Sequence, residues 1–172
     1  MIKEICEKYC IENYTINLDG SIDVYGYVDL SHYEITELPL KFNIVTGDFT
    51  CTDNKLTTLK GCPKFVGGYF SCMYNNLTSL EGGPKSVGEY YSCSCNSLTS
   101  LKGGPKSVGS IFYCYENNLT TNISNIEKFE QFHTSLKEKG LNVYSNYFAK
   151  NYKEWNLNKK RKNILKKIIS KI

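Results

Sequence analysis

The stretch Gly68-Tyr-Phe-Ser-Cys-Met-Tyr-Asn-Asn-Leu-Thr-Ser-Leu-Glu-Gly-Gly-Pro-Lys-Ser-Val-Gly88 decides the fold, because its neighbours repeat its spacing. Gly47–Gly67 and Glu89–Gly109 are lines of the same length that align with it residue for residue. A divergent unit begins at Gly26, and a further one starts at Ser110 and loses the pattern after Asn122. Self-similarity at a fixed period of this length marks a repeat architecture.

Read down the lines, the columns stay in register. One holds Val28, Phe49, Phe70, Tyr91 and Phe112; the next holds Leu30, Cys51, Cys72, Cys93 and Cys114. Asn54, Asn75, Asn96 and Asn117 form a third, with Tyr33 in the divergent unit. Ile35, Leu56, Leu77, Leu98 and Leu119 form a fourth, and Leu38, Leu59, Leu80 and Leu101 a fifth. Phe-x-Cys reads as a short strand with two inward side chains. The Asn beyond it can bond backbone groups of its own turn and the next. The Leu-x-x-Leu pair and Val66, Val87 and Val108 fill the interior, and the Gly-x-Pro at Pro63, Pro84 and Pro105 bends the chain back. A single unit cannot bury its apolar side alone, so stacked units share one continuous core.

These columns resemble the leucine-rich repeat family, whose pattern is L-x-x-L-x-L-x-x-N-x-L. Here Gly or Thr stands at the first leucine, Phe or Tyr at the second and Cys at the third. The Leu-Thr-Ser-Leu-Glu-Gly-Gly-Pro-Lys phrase is similar to that of 21-residue repeat arrays in phage and bacterial proteins. The resemblance covers residues 26 to about 121. It implies an α/β repeat fold: a leucine-rich-repeat solenoid of about five units over 26–122, with a cap at each end. For function it implies a recognition scaffold, and the phage-like phrase implies a phage-encoded protein that binds or inhibits a host factor such as a defence protein.

The N-terminal cap, 1–25, reads as a helix over residues 2–10 followed by a hairpin. Tyr14–Leu18 and Ile22–Val24 alternate around Asp19-Gly20, a strong turn signal. The C-terminal cap, 123–172, opens on the capping box Ser124-Asn-Ile-Glu127, and Ile126, Phe129, Phe132 and Leu136 give an apolar helical stripe ended by Gly140. Leu141–Tyr144 reads as one more strand. Asn158–Ile172 reads as an amphipathic helix with isoleucines on one side and lysines on the other.

Charge is unevenly distributed. Ala149–Ile172 holds nine Lys or Arg against one acid, Glu154, and this +8 leaves about −4 on the rest of a chain whose net charge is +4. The first residues carry acids where a secretory signal needs an apolar core, and no apolar run approaches the length of a membrane span. We therefore expect a cytoplasmic protein, of the host cell if phage-encoded, with its eight cysteines as free thiols.

Nothing in the sequence points to catalysis. His32 and His133 are the two histidines, and no HExxH, GxSxG or P-loop glycine pattern is present. The cysteine column invites a metal reading. Zinc needs ligands converging on one point, whereas one cysteine per turn gives a line with a spacing of about 4.8 Å. Cysteine as a small core hydrophobe fits better. We expect no metal and no cofactor.

The side chains between the inward pairs point out onto the concave strand face. Its columns are Tyr27, Asp48, Tyr69, Tyr90, Ile111; Asp29, Thr50, Ser71, Ser92, Tyr113; and Ser31, Thr52, Met73, Ser94, Tyr115. His32, Asp53, Tyr74, Cys95 and Glu116 flank them. Core columns barely change between units while these vary freely. Tyrosine covers pleated sheets well, but exposed aromatics in a row with small polar neighbours are the chemistry of protein-binding surfaces. The candidate partner-binding residues are Tyr27, Asp48, Tyr69, Met73, Tyr74, Tyr90, Tyr113 and Tyr115. Five strands offer roughly 300 Å² against about 800 Å² per partner in a standard interface, so loops or a cap must contribute.

The expected function is a monomeric, non-enzymatic protein-binding module whose partner is a protein, with self-association as a further outcome. The alternative is a polyanion or membrane-surface binder acting through Lys159, Lys160, Arg161, Lys162, Lys166 and Lys167.

Overall fold

The computed structural model describes residues 1–119 and the strand Val143–Tyr144. The C-terminal helices expected from the sequence, and the lysines of the basic tail, lie outside these residues. In the described part, α1 (Ile2–Lys8) leads into an antiparallel hairpin of β1 (Tyr14–Ile16) and β2 (Ile22–Val24). Its tip is held by Asp19, whose Oδ1 accepts the Ser21 N–H at 3.0 Å and the Ser21 hydroxyl at 2.6 Å. Gly20 takes the left-handed φ of 75° there, which only glycine adopts without cost.

The chain then winds into a β-solenoid of about four turns with the spacing read from the sequence. Each turn contributes one strand to each of two sheets. The first sheet holds, in spatial order, β1, β2, β4 (Phe42–Val45), β6 (Phe65–Val66), β8 (Ser86–Val87) and β10 (Ser107–Val108). The second holds β3 (Val28–Asp29), β5 (Phe49–Thr50), β7 (Phe70–Ser71), β9 (Tyr91–Ser92), β11 (Phe112–Tyr113) and β12 (Val143–Tyr144). Every pairing except the hairpin is parallel; β2 and β4 shift register between Ile22 and Asp23, and the later turns pair in register, with Phe49 opposite Phe70, Phe70 opposite Tyr91 and Tyr91 opposite Phe112.

One expectation is corrected here. In an α/β repeat, a helix would lie opposite each strand. Among the described residues the single helix is α1, and the return half of each turn is a second strand. The reason is local: Gly-Gly-Pro-Lys-Ser-Val is short, rich in breakers, and supplies one Val per turn to stack on the next. The fifth unit is described only as far as Leu119, which accounts for about four turns where the sequence offered about five units.

The core lies between the sheets. Val45, Val66, Val87 and Val108 enter from the first, the aromatic and cysteine columns from the second, and Leu56, Leu59, Leu77, Leu80, Leu98 and Leu119 close the third side. Burying each of these large side chains contributes about 1.5–3 kcal/mol before chain entropy is subtracted. The rings form a continuous stack: Phe49–Phe70 at 5.8 Å, Phe70–Tyr91 at 4.7 Å and Tyr91–Phe112 at 5.2 Å between centroids. At the N-terminal end Cys6 of α1 and Tyr9, just after the helix, join the core, and Tyr9 meets Tyr33 edge-on at 4.8 Å.

The asparagine column forms the ladder expected of it. Asn75 Nδ2 donates to the carbonyls of Cys51 at 2.9 Å, Cys72 at 3.3 Å and Met73 at 3.1 Å, and its Oδ1 accepts the Leu56 N–H at 2.9 Å. Asn54, Asn96 and Asn117 repeat the arrangement one turn away each time. Each amide thus satisfies buried backbone groups of two adjacent turns, which locks their register.

Candidate functional site

The outer face of the second sheet carries the residues singled out from the sequence, and it divides into two halves. In the lower half, hydroxyls join across turns: Ser31 to Thr50 at 3.0 Å, Thr50 to Thr52 at 3.0 Å and Thr52 to Ser71 at 2.8 Å. In the upper half the rings meet. Tyr69 and Tyr90 stack at 4.6 Å with planes 4° apart. Tyr90 meets Tyr113 edge-on at 6.0 Å, and Tyr113 meets Tyr115 at 6.2 Å.

Four of the predicted residues, Tyr69, Tyr90, Tyr113 and Tyr115, are therefore one aromatic surface running over three turns. Asp48 interrupts their column. Its Oδ1 accepts the Tyr69 N–H at 3.0 Å, and Tyr27, 70% exposed, lies one turn below it. Met73 is half-buried between Thr52 and Ser94. Tyr74 stands apart from the run, exposed at the corner of its turn.

That corner was not foreseen. His32, Asp53, Tyr74, Cys95 and Glu116 all adopt left-handed φ values, from 52° to 63°, in successive turns. The residue types announce this only in part, since of the five only Asp53 and His32 are of types enriched there. The conformation swings each chain out of the second sheet and throws these side chains against one another. His32 Nδ1 donates to Asp53 Oδ2 at 2.9 Å, and the Cys95 thiol donates to Glu116 Oε2 at 3.3 Å. Partial burial and the Glu116 carboxylate push the Cys95 thiol up, against the opposing effect of the Tyr74 hydroxyl.

A second surprise is the floor of the face. Ser71, Ser92 and Ser94 occupy outward columns, yet all three are buried, Ser94 completely. The hydroxyls of Ser92 and Ser94 have no hydrogen-bond partner. Glu89 is a further residue missed from sequence. It stands directly before Tyr90 in a column that holds Gly26, Gly47 and Gly68 in the earlier turns and Ser110 in the next, and that charged substitution was the available signal.

The electrostatics of the face are one-sided. Burial, then Asp48, Asp29 and Glu89, raise Tyr69 above the ordinary tyrosine range. Burial again comes first for Tyr90, followed by Tyr69, Asp48 and Glu89. None of the residues in the three outward columns is Lys or Arg.

The cysteine column lies beneath this face. The thiols of Cys51, Cys72 and Cys93 donate to the carbonyls of Ser71, Ser92 and Tyr113 at 3.6, 3.5 and 3.4 Å. Burial pushes Cys51 up to about 12 and holds Cys72 and Cys93 well above the ordinary thiol value. Among the described residues, no group of three or more His, Cys, Asp or Glu is placed to hold a metal ion, and no helix is long and apolar enough to cross a membrane.

No family model matches the chain, nor does any curated protein or solved structure.

Proposed function

We propose that this chain is a non-enzymatic recognition protein that binds a partner protein through the tyrosine-lined outer face of the second sheet. The observation that carries the reading is the contact run Tyr69–Tyr90–Tyr113–Tyr115. A solenoid needs its Phe, Cys, Asn, Leu and Val columns to fold, and those columns barely vary. It has no such need of rings on the outside, where the residue changes from turn to turn. Rings already stacked on one another lose little entropy on binding, and small hydroxyl neighbours let a partner approach closely.

The asparagine ladder and the Leu-x-x-Leu phrase support placing the solenoid with the leucine-rich repeats, as a divergent form whose return half is a strand. On the phage-like phrase of the repeat, the partner in this reading is a host factor met in the cytoplasm, which binding inhibits or redirects.

The test is affinity capture from nuclease-treated host lysate at moderate salt. Three baits are compared: the full chain, residues 1–148, and the chain carrying Tyr69→Ala, Tyr90→Ala and Tyr113→Ala. A partner kept by the truncation and lost by the tyrosine variant is the expected result. A signal lost with residues 149–172, or removed by nuclease, would replace this reading with a polyanion or membrane-surface binder acting through the basic tail.

A further inference from the structure

We propose that the partner segment docking on this face is cationic: an extended stretch bearing Arg or Lys, with one such side chain seated on Asp48 between Tyr27 and Tyr69 and a second beside Glu89 and Tyr90. This rests on the docking reading above and names the chemistry that the surface selects.

The argument starts from charge. The face and its flanking corner carry Asp29, Asp48, Asp53, Glu89 and Glu116, and the residue there that can become cationic, His32, is already paired with Asp53. Lys55, two residues beyond the corner, is engaged by Glu34 at 3.3 Å. An anionic surface of this kind repels nucleic acid and acidic partners and speeds the encounter with basic ones.

Geometry narrows the choice. Asp48 is half-buried and held in place by the Tyr69 N–H, so its carboxylate is fixed before any partner arrives. Parallel pairing places Tyr27 one turn below it and Tyr69 one turn above. A cation over Asp48 thus meets a carboxylate flanked by two aromatic rings, and the attraction to the π-faces adds to the ion pair. The Tyr69–Tyr90 stack extends the aromatic wall to Glu89. Ser92 and Ser94 contribute buried, unpartnered hydroxyls to the floor above.

The probe is a fluorescein-labelled peptide alternating Arg and Gly, with a Glu-Gly peptide as counterpart, titrated against the full chain by fluorescence anisotropy at low salt. The Arg peptide binds and the Glu peptide does not. Asp48→Asn keeps an oxygen for the Tyr69 N–H while removing the charge, and weakens binding about fivefold, as does Glu89→Gln. Glu37→Gln, an exposed acid outside the face, leaves binding unchanged. Tyr69→Phe retains binding and Tyr69→Leu loses it, because the ring and not the hydroxyl faces the cation.

Failure of the Arg peptide to bind, or equal binding by the Asp48→Asn and Glu89→Gln variants, overturns the inference. If those two variants also keep a captured partner that the tyrosine-to-alanine variant has lost, docking on the face stands and its cationic specificity falls. If the tyrosine variant keeps the partner as well, both readings fall.

Discussion

The hydroxyl oxygen of Tyr91 lies 3.1 Å from the position that a Cβ on Gly83 would occupy, and that hydroxyl has no hydrogen-bond partner. The equivalent residues in the other turns are Phe49, Phe70 and Phe112, and one turn below Gly83 its column holds the buried Cys62. Where the ring carries an extra oxygen, the facing position has lost its side chain. This fit is particular to Gly83 and Tyr91, since one turn above Gly104 is also a glycine while the ring there, Phe112, carries no hydroxyl.

Tyr91→Phe is accordingly expected to stabilise the protein. A buried, unpartnered hydroxyl costs about 1–3 kcal/mol. The void left by one oxygen costs only a few tenths, at about 24 cal/mol per Å³. Desolvation wins, and we expect a gain of about 1 kcal/mol in urea unfolding. Gly83→Ala should destabilise the parent, and cost about 0.5–1 kcal/mol less in the Tyr91→Phe background. An unchanged cost would mean that Leu59 and the Leu80 carbonyl, the other atoms near that Cβ at 2.9 and 3.1 Å, set the penalty instead.

The asparagine ladder gives the largest single-residue effect. Asn75→Ala strands the interior N–H of Leu56 and removes one of two asparagine bonds from each of the Cys51 and Cys72 carbonyls, which Asn54 at 3.1 Å and Asn96 at 2.9 Å still serve. We expect a loss of about 2–3 kcal/mol, since the orphaned N–H costs about 1–3 kcal/mol and the two weakened carbonyls add to it. Asn76→Ala, at the exposed neighbouring position, should stay within about 0.5 kcal/mol. Similar unfolding midpoints for the two variants would show that the ladder is not what holds the turns in register.

The buried thiols make stability depend on alkaline pH. Cys51, Cys62, Cys72 and Cys93 have folded values raised above the ordinary 9, by burial in each case. The unfolded chain therefore ionises first, the native state holds more protons, and stability present below about pH 9 is lost as pH rises. Each thiol contributes a slope of up to about 1.4 kcal/mol per pH unit, so the urea midpoint should collapse within about two units above pH 9. At pH 8 a chromogenic disulfide reagent should react promptly with exposed Cys10, more slowly with half-buried Cys95, and with the remaining cysteines only after denaturation. Prompt reaction of all eight would contradict the buried column.

The parts of this structure legible in the sequence were those where one residue type does one job in every turn. Phe70, Cys72, Asn75 and Leu77 recur because each faces the same environment, and recurrence is visible without coordinates. The return strands were not legible as strands, because two residues such as Ser86–Val87 carry no periodicity of their own. The left-handed corner at Tyr74 and Cys95 was hidden for a related reason, since backbone conformation there is imposed by stacking and not by residue preference. On the outer face, alternation put Ser92 and Ser94 in outward columns. It could not give their burial, which depends on how neighbouring turns pack and not on alternation.

Gly68 offers a last test, because it connects the fold to the proposed docking face. A Cβ on Gly68 would run into the Asp48 carboxylate. Gly68→Ala should therefore expel that carboxylate from its bond to the Tyr69 N–H. The group is half-buried and water can replace part of what is lost, so the expected cost is about 1–2 kcal/mol. Asp48→Ala should cost a similar amount by removing the same bond directly. The double variant then decides between two origins of the penalty. If the carboxylate is what collides, the second substitution adds about 0.5 kcal/mol or less, because the obstacle and the bond are already gone. Full additivity in urea unfolding would instead place the strain in the backbone beside Asp48, whose nitrogen lies 3.1 Å from the same Cβ position.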